Sequence, residues 1–334
     1  MTGRREPDKM RAVDVSVDAL GEMIFSSVRR PTPGSHDVLV RVKAAGVNRA
    51  DVSQRFGRYP SPKGETSILG LEVAGEIVKI GDGVLRWRIG DEVCALVAGG
   101  GYAEYCVVPQ GQCLPKPDHL SMAEAASLPE ACATAWSMIW DEGALSDGES
   151  LLVHGGASGI GAIALQVASQ LGHRVFATAG NDERCRACRT LGAEVAINYR
   201  TTDFTAAVLD ATGGRGVDVI LEMVGGTYVQ RDIEAISPGG RIVVISFLGG
   251  NTAEIDLKKM LLKRGRLVAT SLRYQSREFK ADLIRNVELK IWPLVYQKKV
   301  RPVVHQIFPI DGADAAHKLM QSGKQIGKVV LSLD

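Results

Sequence analysis

The sequence predicts an α/β chain in two domains, one doubly wound around a parallel sheet and the other rich in β-structure. Three observations carry this. The chain has 334 residues, more than the roughly 150 of a typical single domain. After Gly148, short apolar runs alternate with amphipathic helical stretches, the pattern of helices crossing over a parallel sheet. Before Pro115, glycines (Gly70, Gly75, Gly81, Gly83, Gly90, Gly99) punctuate short strand-like runs, as in a compact β-rich domain.

Composition narrows the function classes. Apolar residues make up 45% and charged residues 23% of the chain, an ordinary globular balance that excludes a disordered or collagen-like protein. Lys+Arg 40 against Asp+Glu 38 leaves a net charge of +2, so no bulk field recruits nucleic acid or an anionic membrane. The six cysteines are scattered, which predicts a reducing compartment and a cytoplasmic location. Residues 1–9 are polar and read as a frayed tail. The segment MTGRREPDKMRAV has no apolar stretch of a secretory signal. No apolar run approaches the ~20 residues of a membrane-spanning helix.

In chain order, Val13, Val15 and Val17 alternate with polar residues, predicting a half-buried strand from Met10. A second strand follows at Val38, Val40, Val42 and Ala44, after a loop at Pro31-Thr32-Pro33-Gly34. Ser121 with Glu124 three residues on fits a capping box that opens an Ala-rich helix. Leu151–His154 is an apolar strand ending in glycines. Ile160, Ile163, Ala164, Val167, Ala168 and Leu171 then fall on one helical face. Arg174–Ala179 is the next strand, and Asn181 is an N-cap for a helix to about Leu191. Strands at Val195–Asn198, Val217–Met223, Arg241–Phe247 and Leu267–Ser271 complete the series. Residues 277–297 read as helical, and Lys328–Leu333 as a closing strand.

The chemistry begins at His154-Gly155-Gly156-Ala157-Ser158-Gly159-Ile160-Gly161, where a strand turns into a helix. Read as G-x-G-x-x-G, it has Gly156 first, Ser158 in the second position and Gly161 third. Such a turn lets a backbone approach a pyrophosphate and offers N–H groups at a helix start. The strand before it and the amphipathic helix after it are the context that a Rossmann dinucleotide site requires. The cofactor candidates here are Gly156, Ser158, Gly159 and Ile160. The second strand ends Thr178-Ala179-Gly180 without the acid that would hold an NAD ribose, and Arg184 follows, able to meet a 2′-phosphate. Gly180, Arg184 and Tyr199 are therefore expected at that phosphate, favouring NADPH. Asp182 and Glu183 read equally as acids stabilising a helix start.

Gly70-Leu71-Glu72-Val73-Ala74-Gly75-Glu76-Ile77-Val78, with Gly81 and Gly90-Asp91-Glu92-Val93, resembles the N-terminal signature of the medium-chain dehydrogenase/reductase superfamily. Asn48-Arg49-Ala50-Asp51 and Ile326-Gly327-Lys328 bring the resemblance closest to its zinc-independent, zeta-crystallin-like quinone oxidoreductase branch, over Met10 to Leu333. The resemblance implies a GroES-like catalytic domain from 10–130 with 272–334, and a Rossmann domain from 131–271. It also implies a homodimer and the cofactor contacts Thr134, Phe247, Leu248 and Gln325; Tyr59, on an exposed-looking loop, is expected to touch cofactor or substrate. For Phe247 and Leu248, packing at the end of the sheet is an equal reading.

Where zinc alcohol dehydrogenases of this superfamily place Cys, His and Cys, the matching residues look like Asn48, Leu71 and Glu130. Leu71 cannot ligate and Asn48 is a poor zinc donor. No four-cysteine structural-zinc cluster is present either. Without a Lewis acid, a quinone or another conjugated carbonyl is the expected acceptor, because its own conjugation spreads the charge. Asn48 and Tyr59, the latter in the loop Arg58-Tyr59-Pro60-Ser61-Pro62, are the catalytic candidates. NADPH-dependent quinone reduction, in one- or two-electron steps, is expected. An enone or enoyl-thioester reductase and a nucleotide-bound scaffold or RNA-binding protein are the rivals. Cys185-Arg186-Ala187-Cys188 reads as ordinary helix sequence rather than a redox pair. The six histidines show no metal-ligand spacing, and the basic cluster from Lys258 to Arg266 reads as a solvated face.

Overall fold

The computed structural model describes residues 8–16 and 21–333. It divides into two compact units. One comprises residues 1–130, 273–288 and 302–334, and the other residues 131–272 and 289–301.

In the first unit, β1 (Lys9–Val15) and β2 (Met23–Arg29) form an antiparallel ribbon. Lys9 thus belongs to a strand rather than to the expected tail. The buried residues of β1 are Met10, Ala12 and Val13, so strict alternation of the valines does not define its inner face. Val17 and the first seven residues lie outside the described residues.

A seven-stranded sheet follows, built from β3 (Asp37–Val47), β4 (Glu72–Ile80), β5 (Glu92–Leu96), β6 (Tyr105–Pro109), β7 (Cys113–Pro115), β14 (Val304–Pro309) and β15 (Lys328–Ser332). Its order is β14-β15-β3-β4-β5-β7, with β6 on β3. Val38, Val40, Val73, Ile77, Val93 and Leu331 are among the apolar residues of its core. The helices of this unit are α1 (Arg49–Arg55), α2 (Met122–Ala125) and, later in the chain, α9 (Arg277–Lys290) and α11 (Ala313–Ser322). Ser121 caps α2 through the expected box with Glu124. That helix stops after one turn, and Pro129 opens a new one, α3 (Pro129–Trp136), because proline is suited to a first turn and not to an interior.

The second unit holds six strands: β8 (Ser150–Val153), β9 (Arg174–Ala179), β10 (Val195–Asn198), β11 (Val217–Glu222), β12 (Ile236–Val244) and β13 (Arg266–Ala269). All pair in parallel in the order β10-β9-β8-β11-β12-β13. Counted within this unit the order is 3-2-1-4-5-6, that of the Rossmann fold. The interleaved helices are α4 (Gly159–Gln170), α5 (Asp182–Thr190), α6 (Phe204–Ala211), α7 (Tyr228–Ala235) and α8 (Leu257–Lys263). The direction of the strand order reverses between β8 and β11, the point beyond whose carboxyl ends such sheets bind ligands. Ser158 and Asn181 cap α4 and α5 with their side chains.

Two expectations need correction. β12 starts at Ile236 and ends at Val244, not at Phe247; Pro238-Gly239-Gly240 looks like a turn in sequence but lies within an irregular strand. Residues 289–301, expected with the catalytic domain, group with the parallel-sheet unit. There α10 (Trp292–Tyr296) buries Trp292 and Val295, and Gln166 of α4 brackets Arg301 with two hydrogen bonds of 3.0 and 2.9 Å. No helix of the described residues is long and apolar enough to cross a membrane.

Candidate active site

At the carboxyl end of β8 the chain turns sharply: Gly155 has φ +62°, a conformation that favours glycine. A Cβ on Gly156 would stand 2.8 Å from Ala177 Cβ and 2.9 Å from Cys188 Sγ, and one on Gly161 only 2.5 Å from the Gly155 carbonyl oxygen. The turn is therefore packed too closely for side chains. Ser158 Oγ accepts from Gly161 N–H at 3.0 Å. The first-turn N–H groups of Gly159 and Ile160 have no acceptor within the helix, which makes this end of α4 an anion cradle.

At the end of β9, a Cβ on Gly180 would stand 2.9 Å from the Tyr199 hydroxyl, so the structure brings these two candidates together. Arg184 N–H donates to Asn181 Oδ1, which places Arg184 in the first turn of α5. Phe247 and Leu248 are 63% and 58% exposed, beyond the end of β12, which removes the reading of core packing. Their loop lies against the turn after β11, where Gly249 N–H donates to the Val224 carbonyl at 2.6 Å. Thr134 is buried on α3.

Sequence reasoning missed what lies beneath the turn. His154, fully buried, holds Thr178 Oγ1 at 2.9 Å through Nδ1 and Asp232 Oδ1 at 2.8 Å through Nε2. Glu222 Oε2 lies 3.6 Å from the same Nε2, and Glu222 Oε1 accepts the N–H groups of Val224 and Gly225. Burial lowers the His154 pKa to about 4, raises that of Glu222 to about 8 and that of Asp232 to about 7. The neighbouring Asp232 adds to burial in holding the Glu222 carboxyl up, since two buried acids side by side resist ionising together. Histidine and two acids at these distances could also chelate a cation; the His154–Asp232 bond engages the histidine, while Glu222 Oε2 and Asp232 Oδ2 have no hydrogen-bond partner among the described residues. The His154 to Asp232 separation of 78 residues is invisible to spacing arguments.

In the first unit, Asn48 follows β3 directly and precedes α1. Its Nδ2 donates to Glu72 Oε1 at 3.1 Å, and Lys328 Nζ donates to Asn48 Oδ1 at 2.5 Å. Lys328 also pairs with Glu72 Oε1 at 2.5 Å. Glu72 Oε2 accepts the Glu130 N–H at 2.9 Å. Asn48, Glu72 and Lys328 are 7%, 0% and 4% exposed. Burial on its own would lower the Lys328 pKa, but Glu72 and then Glu130 hold it above the ordinary lysine range, so the ammonium stays charged. Leu71 is buried beside them.

Tyr59 is more enclosed than its loop suggests. Its ring meets Tyr274 edge-on at 5.3 Å and lies 5.4 Å from the Arg273 guanidinium. Arg273 also donates to Gln54 Oε1 and to the carbonyls of Ala98 and Tyr59. Arg273 was not legible as a site residue, since it lies 214 residues from Tyr59. Gln325 lies in the same unit, its Nε2 3.2 Å from Met320 Sδ. Cys185 and Cys188 are buried and their thiols are pushed up, Cys188 to about 12, opposite to what a reactive thiolate needs.

Residues 34–118 match the alcohol dehydrogenase GroES-like domain family and residues 159–288 the zinc-binding dehydrogenase family. The quinone oxidoreductase of Rattus norvegicus is 32% identical over 92% of this chain and 92% of its own length. The chain belongs to the medium-chain dehydrogenase/reductase superfamily. It is an oxidoreductase of that superfamily, with relatives in the quinone oxidoreductase branch, and its fold takes a nicotinamide cofactor. A phenolphthiocerol/phthiocerol polyketide synthase of Mycobacterium tuberculosis is 31% identical over 96% of this chain, which spans 15% of that relative's length. Among solved structures, a mycobacterial protein complexed with NADPH has a TM-score of 0.86 at 26% identity, covering 97% of this chain and 99% of that one. The CurK enoyl reductase has a TM-score of 0.85 at 28% identity, with coverage of 97% and 99%.

A zinc ion does not fit this member of the superfamily. Of the three positions, Leu71 has no donor atom, and the Asn48 carboxamide is taken up by Lys328 and Glu72. An ammonium, which repels a cation, stands in the same cluster. A nicotinamide dinucleotide does fit: the glycines let β8, β9 and α5 pack closely around the turn, and the helix start that follows favours phosphate.

Proposed function

We propose that this oxidoreductase uses NADPH to reduce quinones without a metal ion. The observation that carries the reading is the set around Asn48: a buried ammonium, a carboxamide and a carboxylate bound to one another supply hydrogen bonds and charge, and Leu71 beside them has no donor atom for a metal. Bound NADPH supplies a hydride. Gly156, Ser158, Gly159 and Ile160 would hold its pyrophosphate, and Gly180, Arg184 and Tyr199 its 2′-phosphate. Tyr59, Thr134, Phe247, Leu248 and Gln325 are proposed as further contacts. Asn48 would hydrogen-bond the acceptor oxygen and Tyr59 would position the acceptor, so the protein contributes placement and a few fixed donors. In the experiment, NADPH oxidation is followed with 1,2-naphthoquinone, benzoquinone, an alkenal and crotonyl-CoA in parallel; quinone turnover is expected, and turnover of crotonyl-CoA alone rejects the assignment.

Reduction of an enone or enoyl thioester is the second reading, favoured by the likeness to the CurK enoyl reductase and the polyketide synthase. It would use the same donors on a thioester carbonyl.

NADPH preference rests on Arg184. Arg184→Ala should weaken NADPH binding about tenfold, the loss of a charge-assisted pair of roughly 1.4 kcal/mol, and leave NADH unchanged in calorimetric titrations. Equal losses for both would remove the 2′-phosphate role. The six cysteines are all free and buried, consistent with a reducing, cytoplasmic setting. A homodimer is proposed through the open edge of the parallel sheet. There β13 is unpaired on one side among the described residues, and Leu257, Leu261 and Leu262 of α8 are 71%, 72% and 69% exposed, an apolar patch that soluble monomers seldom display. Sedimentation velocity should show a dimer that Leu261→Lys with Leu262→Lys converts to monomer; a wild-type monomer would reject it.

A further inference from the structure

We propose that Lys328 and Glu72 are positioning residues: they lock the Asn48 carboxamide with its NH2 outward as a hydrogen-bond donor, which commits the site to acceptors that present a carbonyl oxygen. The inference rests on the reductase reading above and names the chemistry its acceptor must have.

The register of three neighbouring strands creates the lock. Val329 pairs with Val47 and Val73 with Ala45, so Lys328, Asn48 and Glu72 fall at the same end of β15, β3 and β4. A Cβ at Gly46 would stand 2.1 Å from Glu72 Oε1, so glycine there leaves the space in which that carboxylate sits. Glu72 is fixed from its other side by the Glu130 N–H, and Asn48 from its backbone by the 2.7 Å bond of its N–H to Asp51 Oδ2.

Donor chemistry then decides which way the amide points. An ammonium only donates and a carboxylate only accepts. Lys328 Nζ must therefore face Oδ1, and Glu72 must face Nδ2. Turning the amide over would set Nδ2 against the ammonium and Oδ1 against the carboxylate, at 2.5 and 3.1 Å. Both contacts would be repulsive in a buried setting where charge is poorly screened. The carboxamide thus has one orientation. Nδ2 carries two hydrogens, and Glu72 Oε1 takes one of them, which leaves the other for an acceptor. The ammonium behind Oδ1 also polarises the amide and strengthens that remaining donor.

Such a donor suits an oxygen that gains negative charge. When hydride enters a conjugated acceptor, an electron pair moves onto its carbonyl oxygen, and a proton from water completes the reduced product. A fixed N–H lowers the cost of that charge without supplying the proton.

The test compares Lys328→Met/Glu72→Gln, Lys328→Arg and Asn48→Asp, using 1,2-naphthoquinone with NADPH and parallel melting curves. The double variant removes the ammonium together with its direct carboxylate partner, yet it leaves the amide free to turn. Its kcat should fall about 30- to 100-fold, with KM and the NADPH dissociation constant within about twofold of wild type. Lys328→Arg, still a pure donor, should restore kcat to within about fivefold. Asn48→Asp keeps the shape and the ammonium partner but loses the NH2, and should match the double variant; it serves alone if the double variant does not fold. A double variant or Asn48→Asp with near wild-type kcat overturns the proposal. So does a loss in Lys328→Arg equal to that of the double variant, which would indicate shape rather than donor direction. If wild type reduces no acceptor, the reductase reading fails, and quinone binding to the NADP⁺ complex, measured by fluorescence quenching, decides the lock. Weakening in the double variant but not in Lys328→Arg sustains it, and equal or undetectable binding overturns it.

Discussion

Gly156→Val should abolish useful cofactor binding. The added Cβ would stand 2.8 Å from Ala177 Cβ, 2.9 Å from Cys188 Sγ and 3.2 Å from Leu165 Cδ1, and the first two neighbours are short side chains on β9 and α5 with little freedom to retreat. The turn between β8 and α4 must therefore move, and with it the N–H groups of Gly159 and Ile160 that would meet the pyrophosphate. We expect NADPH affinity to fall about 100-fold, equivalent to roughly 2.7 kcal/mol, together with an overpacking cost of about 1–3 kcal/mol in stability. Calorimetric titration beside circular dichroism separates the two effects. Affinity within threefold of wild type in a folded variant would show that phosphate is held elsewhere.

Asp232→Ala should be the most damaging single change to stability. It strips His154 Nε2 of its 2.8 Å partner and removes the acid beside Glu222. Leaving buried polar groups unpaired costs about 3 kcal/mol here, or roughly 6–12 °C in the melting temperature of a unit of this size. The same group makes stability depend on pH. Glu222 and Asp232 have folded pKa values near 8 and 7, above their ordinary values of 4.5 and 3.8. Their contribution is complete at pH values below the ordinary range and is lost as pH rises through 7 and 8. His154 works in the opposite sense: with a folded pKa near 4 against an ordinary 6.5, its contribution is present above 6.5 and lost as pH falls toward 4. The charged neighbour Arg231, which lowers the pKa values of both His154 and Asp232, and the ring of Tyr228 pack on the group as well. Between pH values of about 6.5 and 8.5 the acids alone titrate, so the melting temperature should decline with rising pH. Glu222→Gln with Asp232→Asn should flatten that decline. A wild-type curve that is level or rising over this window contradicts the raised pKa values of the two acids.

The order of elements was legible wherever local chemistry decides it. The apolar face from Ile160 to Ala168, the caps Asn181 and Ser121, and the run Arg174–Ala179 all form as their residue types require, while Leu171 falls past the end of α4 and is exposed. β14 escaped because its residues are largely exposed and lack alternation, and α11 because no cap signal precedes it: Gly312 stands at its N-cap and provides no side-chain bond. The glycine turn was readable as a dinucleotide cradle because each glycine is needed for close approach. Its support was not readable: His154, Thr178, Glu222 and Asp232 come together only when four elements pack. The same holds for Asn48, whose partners lie 24 and 280 residues away. Asn48 could be singled out as a non-ligand where a ligand was expected, but nothing in its local sequence points to Lys328 on its carbonyl side.

The account depends on reduction at a site where an ammonium and a carboxamide take the place of metal ligands. The most direct measurement is the rate of NADPH oxidation with 1,2-naphthoquinone before and after exhaustive dialysis against a chelator, with bound metal quantified in both samples. The account predicts the same kcat in both, with no response to added Zn²⁺. Activity that disappears on chelation and returns in proportion to Zn²⁺ bound would contradict it.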